Sequence, residues 1–552
     1  MLFENLQAAF QEIATLQTVG LMMIGAIAGL IAGAIPGFTI AMAVVLTLPF
    51  TFGMAPAQGL ATMIGVFVGG LSGGLMSGIL TGIPGTPSSV ATTFDGFPMA
   101  RSGRPGLALG LGVWSSFFGG IISAVLLVAV APQLALIGLE FQPWDYFSLV
   151  FFALTITASL AGAHLVKGLI AGAFGLLIAT VGEEDFSGVA RFDFGIEFLE
   201  GGFQFLPVLI GLFAFSQLMT DIRDRTTARQ ALTQMGEVNI RIEHRQAVRA
   251  VLARWVNLIR SAFIGVFTGI LPAAGSTISN ILAYDQAKKA SKTPEKFGSG
   301  FEDGIVAPES ANNATAGGSL ITMMALGIPG DIITAVMLGA LLIHDVIPSP
   351  SFISESPVLA YSIFIAFFFA NFLVLILQSV ALRVFVLVTR VRMYVLASII
   401  LAYCGIGVFA LNNIVDDMWA LLIFGVIGYV MRNLGFPLAP MILGVVLGPI
   451  AERWLARALA LETDLSYFVT QPWSLFFLVL SAFSLVFGLY QRDRGKKVWT
   501  RFYTPLLMAG LSVPLFTMAG YIRPVVGGAL LLLGLWGLVR AARSLRTPAE
   551  AG

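Results

Sequence analysis

Gly29-Leu30-Ile31-Ala32-Gly33-Ala34-Ile35-Pro36 and Gly265-Val266-Phe267-Thr268-Gly269-Ile270-Leu271-Pro272 are two copies of one pattern, G-x3-G-x2-P, set 236 residues apart in long apolar runs. A second pair occurs in the same order. Gly82-Ile83-Pro84-Gly85 is matched 245 residues on by Gly327-Ile328-Pro329-Gly330, and a Gly-Gly pair precedes each (Gly73-Gly74 and Gly317-Gly318). The nine residues by which the offsets differ fit a lysine-rich insert at Lys288 to Lys296. Proline removes a helix donor and glycine loosens the backbone, so each copy marks a helix break. At membrane depth a break is tolerated only where it is buried in protein or lines a cavity.

Composition sets the class. Hydrophobic residues make up 57% of the 552 and charged residues 11%, where a soluble domain carries about 25% charged. The stretches 107–131 and 361–382 hold no charge at all, and each exceeds the roughly 20 residues a helix needs to cross a bilayer. The expected fold is an all-α polytopic integral membrane protein with about 12 to 14 membrane segments. Whether the pieces flanking Pro36 and Pro272 are full crossings or re-entrant hairpins is left open. A net charge of +1 gives no reason to expect a nucleic-acid partner. Cys404, the single cysteine, lies among apolar residues and reads as inert packing. Met1 to Thr18 lacks a basic stretch and carries Glu4 and Glu12, so no cleavable signal is expected. Its residues Leu2, Phe3, Leu6, Phe10 and Ile13 suit an amphipathic helix on the membrane surface.

Charge placement predicts an orientation, because Lys and Arg favour the cytoplasmic side. Segment 221–260 holds eight arginines against four acids, whereas 183–200 holds six acids against Arg191. With the first inside and the second outside, 107–131 runs outward while its counterpart 358–382 runs inward. Likewise 203–217 runs inward and its counterpart 437–450 outward. The halves are therefore expected to be inverted-topology repeats, an arrangement found in secondary carriers that hold substrate near the midplane. The expected division is a surface helix over 1–18, repeats over 19–220 and 259–461, a basic linker over 221–258, and an extension over 462–552. That extension has room for about three further spans.

Small and polar residues succeed each break. Gly37-Phe38-Thr39 comes after Pro36, and Ala273-Ala274-Gly275-Ser276-Thr277-Ile278-Ser279-Asn280 after Pro272. Gly85 leads into Thr86-Pro87-Ser88-Ser89-Val90-Ala91-Thr92-Thr93, and Gly330 into Asp331-Ile332-Ile333-Thr334. A helix restarting at depth offers N–H groups without partners and the positive end of its dipole, so it binds an anion without lysine or arginine. Gly37, Thr39, Gly85, Thr86, Ser88, Ser89, Gly275, Ser276, Thr277, Asn280 and Gly330 are accordingly candidate substrate-binding positions. The run Pro308-Glu309-Ser310-Ala311-Asn312-Asn313-Ala314-Thr315 is costly in lipid unless its groups satisfy one another or a ligand. Asn312, Asn313 and Thr315 join the candidates, the amides because they both donate and accept. Glu309, Asp331 and Asp285 are candidates for a coupling Na+ or H+, and no other metal or cofactor is expected. The plainer reading is that the glycines permit close helix packing and the asparagines cap a helix.

At these residues the chain resembles the large membrane subunit of the tripartite tricarboxylate transporter family (TctA-type). The resemblance is carried by Gly29–Pro36–Gly37, Gly265–Pro272, Gly82-Ile83-Pro84-Gly85, Pro308-Glu309-Ser310-Ala311-Asn312-Asn313 and Gly327-Ile328-Pro329-Gly330, and spans roughly 16–461. It implies uptake of citrate-like or other carboxylates across a bacterial inner membrane, driven by a cation gradient. It also implies a small four-span membrane subunit (TctB-type) and a periplasmic solute-binding protein (TctC-type). Beyond about residue 490 the chain departs from the family pattern, with a basic stretch and two further candidate spans at 503–521 and 524–539.

Two rival classes are weighed beside this. Tyr284-Asp285 and Pro329-Gly330-Asp331 resemble the paired aspartates of intramembrane proteases, in which two carboxyls share a proton. That reading leaves the duplicated breaks unexplained, and the chain has no His-Glu-x-x-His motif and no phosphate-binding loop. A channel for small anions is the other alternative, since inverted repeats also build channels.

Overall fold

The computed structural model describes residues 2–35, 38–160, 165–184, 188–223, 241–272, 274–344, 346–380 and 393–546. The first half runs α1 (Leu2–Ile13), α2 (Leu16–Ala34), α3 (Ile40–Thr51), α4 (Pro56–Thr81), α5 (Val90–Arg101), α6 (Pro105–Gly138), α7 (Pro143–Leu160) and α8 (Leu165–Ala179). It ends in α9, made of Phe205–Ile210, a π turn at Gly211–Phe215, and Ser216–Arg223. The second half runs α10 (His244–Ala253), α11 (Trp255–Ile270), α12 (Gly275–Ala290), α13 (Asp303–Leu326), α14 (Ile332–Ile343), α15 (Pro357–Val380), α16 (Met393–Asn412), α17 (Asp416–Asn433) and α18 (Leu438–Leu461). Helices α19 (Pro472–Asp493), α20 (Thr500–Thr517) and α21 (Ile522–Arg546) complete it. Among the described residues, sheet is confined to one two-stranded pairing of Gly182–Glu183 with Ala190–Arg191. The fold is all-α, as expected.

Seven described helices, α2, α4, α6, α15, α18, α19 and α21, are long and apolar enough to cross a membrane. The pair α10 and α11, bent by 81°, makes an eighth, and five apolar helices of 10–17 residues are shorter. The 12 to 14 segments expected from sequence exceed these eight, and the range is reached only if each of the five shorter helices counts as a membrane segment. The chain divides into two compact units, 1–139 with 203–433, and 140–202 with 434–552.

The first unit is built around α4 and α13. Both are buried on every face, α4 from Gly59 to Leu80 and α13 from Gly304 to Ala325. Helix α2 lies on α4 so closely that a methyl on Gly25, Gly29 or Gly33 would collide with the carbonyl oxygens of Thr62, Val66 and Gly70. In the second half, Gly265 and Gly269 of α11 meet the carbonyls of Ala311 and Thr315 of α13 in the same way. Small residues bring helix backbones together where lipid supplies no hydrophobic drive. This packing also fixes the register of the repeat. A methyl on Gly73 would stand 3.0 Å from Gly33 Cα, and one on Gly318 3.0 Å from Gly269 Cα. Gly73 is therefore equivalent to Gly318, and Gly74 to Ser319; matching the two Gly-Gly pairs by identity is one residue out.

Each central helix ends on a left-handed glycine, Gly82 at φ +76° and Gly327 at φ +70°. Glycine meets no Cβ penalty there. The chain then doubles back. The Gly85 N–H donates to Gly74 O at 3.3 Å, and a methyl on Gly330 would stand 2.7 Å from Ser319 Cα. Helices α5 and α14 restart from these turns. The halves also pack reciprocally: α6 lies on α13 and α15 on α4, while the turn before α5 meets α12 and α14 meets α3. Helix α1 packs its buried Ala9 and Ile13 toward α15, where Ser362 donates to Glu12 at 3.0 Å.

The second unit sets α18 against α7 and α8, with α19 on α7 and then α20 and α21. Gly175 abuts the Met441 carbonyl, and Tyr146 stacks on Trp454 at 4.2 Å. Lys167, a lone charge in an apolar run, donates to Leu434 O at 2.6 Å. Glu140 pairs with Arg523 at 2.7 Å, which holds its carboxyl below the usual range.

Candidate functional site

The polar residues of α13 pass through the middle of the first unit and are met there by groups from both breaks. Glu309 is fully buried. Its Oε1 accepts from Thr92 Oγ1 on α5 at 2.5 Å, and its Oε2 from Ser116 Oγ on α6 at 2.9 Å. No cation pairs with it among the described residues, so neutral hydrogen-bond donors alone offset the cost of burying the carboxyl. Asn280 on α12 closes the group. Its Nδ2 donates to Pro308 O at 3.2 Å and, more weakly, to Thr92 Oγ1 at 3.4 Å. Its Oδ1 accepts the Ala91 N–H at 2.8 Å, one of the donors that the first turn of α5 cannot pair within the helix.

One turn further along α13 the satisfaction is incomplete. Asn313 Oδ1 accepts from Ser72 Oγ at 3.0 Å, and Asn312 Nδ2 donates to Leu71 O at 3.0 Å, both on α4. The other ends of the two amides, Asn312 Oδ1 and Asn313 Nδ2, are buried with no hydrogen-bond partner among the described residues. A buried polar atom left unpaired costs about 1–3 kcal/mol. Adjacent residues thus leave one buried acceptor and one buried donor without a partner among the described residues. By contrast Thr315 and Ser279 satisfy each other at 2.6 Å.

The break-derived groups divide similarly. Thr86 Oγ1 is 3.0 Å from Ser88 Oγ, and Ser89 Oγ donates to Thr86 O at 2.9 Å, so these three buried hydroxyl residues close on themselves. Asp331 caps α14, its Oδ1 accepting the Thr334 N–H at 2.8 Å, and Gly275 at the start of α12 lies beside it. Ser276 is buried next to Gly275. Thr39 caps α3 by accepting the Met42 N–H at 3.2 Å. Gly37 lies outside the described residues.

Two candidates sit elsewhere. Thr277 is exposed, whereas Ser276 and Asn280 on the same helix are buried. Asp285 points outward into an exposed pair with Lys289 at 2.5 Å. It also lies ten residues, about 15 Å, along α12 from the Gly275 end that touches Asp331, so the two aspartates form no shared-proton dyad. The partners Ser72 and Ser116 were not singled out from sequence, and neither was Asp95; Thr92 stands in the hydroxyl run after Gly85 but was not among the candidates. Among the described residues, no three His, Cys, Asp or Glu side chains gather to hold a metal ion.

Residues 19–443 match the family described as "Tripartite tricarboxylate transporter TctA family". Two relatives from Agrobacterium vitis are similar to the chain. The "Uncharacterized 52.8 kDa protein in TAR-I ttuC' 3'region" is 32% identical over 416 residues, 75% of this chain and 82% of that protein. The "Uncharacterized protein in TAR-II ttuC' 3'region" is 33% identical over 234 residues, 42% of this chain and 97% of that protein. No solved structure gives a significant match.

Proposed function

The chain belongs to the tripartite tricarboxylate transporter TctA family, and from that premise we propose that it takes up carboxylates by cation symport, receiving them from a binding protein. As a TctA-family protein it is the large membrane subunit of a tripartite transporter. The remaining parts of the proposal are its partners, a small four-span membrane subunit and a periplasmic solute-binding protein, and its place in the bacterial inner membrane. The substrate class is citrate-like tricarboxylates or related organic acids.

One observation carries the reading: the two unused amide ends of Asn312 and Asn313, buried on α13 among helix restarts. A carboxylate oxygen accepts from Asn313 Nδ2, and a substrate hydroxyl or protonated carboxyl donates to Asn312 Oδ1. The N-terminal turns of α5, α12 and α14 add positive dipole ends without a fixed cation. Such a site releases its anion more readily than one built on arginine would. Glu309, one turn before them on α13, is the residue for a coupled proton, since only hydroxyls and amides surround it. The reciprocal packing of the halves supports an inverted arrangement, in which access alternates as one half moves against the other.

The test is radiolabelled carboxylate uptake into proteoliposomes holding this chain, the small subunit and the binding protein, under imposed sodium or proton gradients. Accumulation that needs all three components is the expected result. Asn313→Ala is expected to cut uptake at least about tenfold, for the loss of one hydrogen bond to a charged group, without changing insertion. Non-saturable flux that never exceeds equilibrium would make it a channel instead, and wild-type uptake by Asn313→Ala would remove the amide from the site.

A further inference from the structure

The two halves differ at one pair of equivalent positions, and the difference is chemical. In both, the turn after the central helix folds back against the last turn of the neighbouring helix. A methyl on Gly85 would collide with Gly33 O and stand 3.0 Å from Gly74 Cα. A methyl on Gly330 would collide with Gly269 O and stand 3.0 Å from Ser319 Cβ. In the first half Gly74 has no side chain, and Thr86 Oγ1 fills the space, bonded to Ser88. That turn is neutral and satisfied. In the second half the equivalent residues are Ser319 and Asp331.

Ser319 is fully buried, and its Oγ lies toward the Asp331 carboxyl without closing a hydrogen bond to it or to any other described residue. Buried hydroxyls without a partner are uncommon enough to need a reason. Asp331 is 6% exposed and engages Thr334 through Oδ1, which leaves Oδ2 outside the capping box. The Gly269 carbonyl, in the last turn of α11, faces Gly330, the residue before Asp331, and that helix end is negative, where cations are favoured. We infer that this turn binds a sodium ion, held by the Asp331 carboxylate, Ser319 Oγ and the Gly269 carbonyl.

The donor set argues for that ion. All three ligands are hard oxygens, and they carry a single negative charge. Calcium takes six to eight oxygens, usually with several carboxylates, and magnesium keeps its octahedral water shell. A proton on Asp331 would neutralise the carboxylate, but it would leave the carbonyl end of α11 facing no cation. That this ion also couples uptake rests on the carrier reading above; its binding does not, so the two can be tested apart.

Thermal unfolding of the purified chain in sodium chloride against choline chloride, without any carboxylate, reads binding alone, since an ion bound only to the folded state raises Tm with concentration. Wild type is expected to gain a saturable rise in Tm from sodium. Ser319→Ala removes only the hydroxyl. Asp331→Thr removes the charge but keeps a residue that can cap α14, with Thr86 of the first half as its counterpart. Each is expected to raise the half-saturating sodium concentration by about tenfold or more. No sodium-specific rise in wild type, or an unchanged half-saturation in Ser319→Ala, would overturn the site. If Asp331→Thr fails to fold, Ser319→Ala decides. Sodium binding in a protein that accumulates no carboxylate would leave the site standing and overturn the carrier reading. Uptake with no sodium-dependent rise in Tm would do the reverse.

Discussion

Asp95 on α5 is fully buried and accepts from four residues at once. Its Oδ1 takes the N–H groups of Gly298, Gly300 and Phe301 at 2.9, 2.9 and 2.7 Å, and its Oδ2 takes the Tyr284 hydroxyl at 2.9 Å. One turn earlier Thr92 bonds Glu309, so successive turns of α5 fasten it to α13 and then to the loop that leads into α13. Asp95→Ala would strand several buried donors, each at a cost of about 1 kcal/mol or more. A loss of about 3 kcal/mol is expected from these donors together, read as a lower Tm of the purified protein, with Asp95→Asn losing less because one oxygen remains. An unchanged Tm would mean that other contacts hold the loop. Residues of this kind are only partly legible in sequence. Glu309, Asn312 and Asn313 stand out because polar groups in an apolar run are expensive. Ser72 and Ser116 do not, since a hydroxyl in a helix ordinarily bonds back to its own turn. Asp95 is invisible because three of its partners are backbone N–H groups more than 200 residues away. Asp285 drew attention as an acid, yet Lys289 four residues on marks a solvated helix pair.

At the scale of elements, the glycines that announced the breaks in sequence turn out to serve the helices on either side of them. Gly33 and Gly269 occupy the last turns of α2 and α11, where any side chain would strike the carbonyls of Gly70 and Thr315. Gly20, on the same helix as Gly33, has nothing within 4 Å of where a Cβ would stand. Gly33→Ala and Gly269→Ala are expected to push their helix pairs apart at a cost of about 1–3 kcal/mol, as overpacking does. Gly20→Ala should be neutral or gain up to about 1 kcal/mol from helix propensity. Melting temperatures of the three purified variants check this, and equal values for all three would show that close approach is not what Gly33 and Gly269 supply. The breaks were readable because proline and glycine act locally. The doubling back after Gly82 and Gly327 was not, because it depends on where Gly85 and Gly330 land on the neighbouring helix. The true register, Gly74 with Ser319, was hidden for the same reason: the facing helix sets it, not residue identity.

Across the whole molecule the question is whether two similar halves face opposite sides of the membrane. Arg104, at the start of α6, bridges Glu302, beside the start of α13, at 3.5 Å. At the other end of α6, a methyl on Gly138 would stand 2.7 Å from Pro350, which shortly precedes α15. Helix α15 therefore begins where α6 ends, although the sequence makes them counterparts. Within the first unit α9 packs on α17, and within the second α18 packs on α7 and α8. Each half thus lends its last helix to the other half's preceding pair, an exchange that a two-fold relation between the halves produces and that is compatible with an axis in the membrane plane. Charge then assigns the sides, because Arg101 and Arg104 at the α5–α6 turn favour the cytoplasm. The chain's single cysteine, Cys404, is buried, and the test replaces it so that only introduced cysteines react. In a Cys404→Ser background, Ser102→Cys in that turn is expected to react with an impermeant thiol reagent only from the cytoplasmic side. Ser354→Cys, exposed just before α15, is expected to react only from the outside. Labelling of both from one side would mean that the halves are parallel copies, and alternating access by inverted repeats would then be lost as the mechanism.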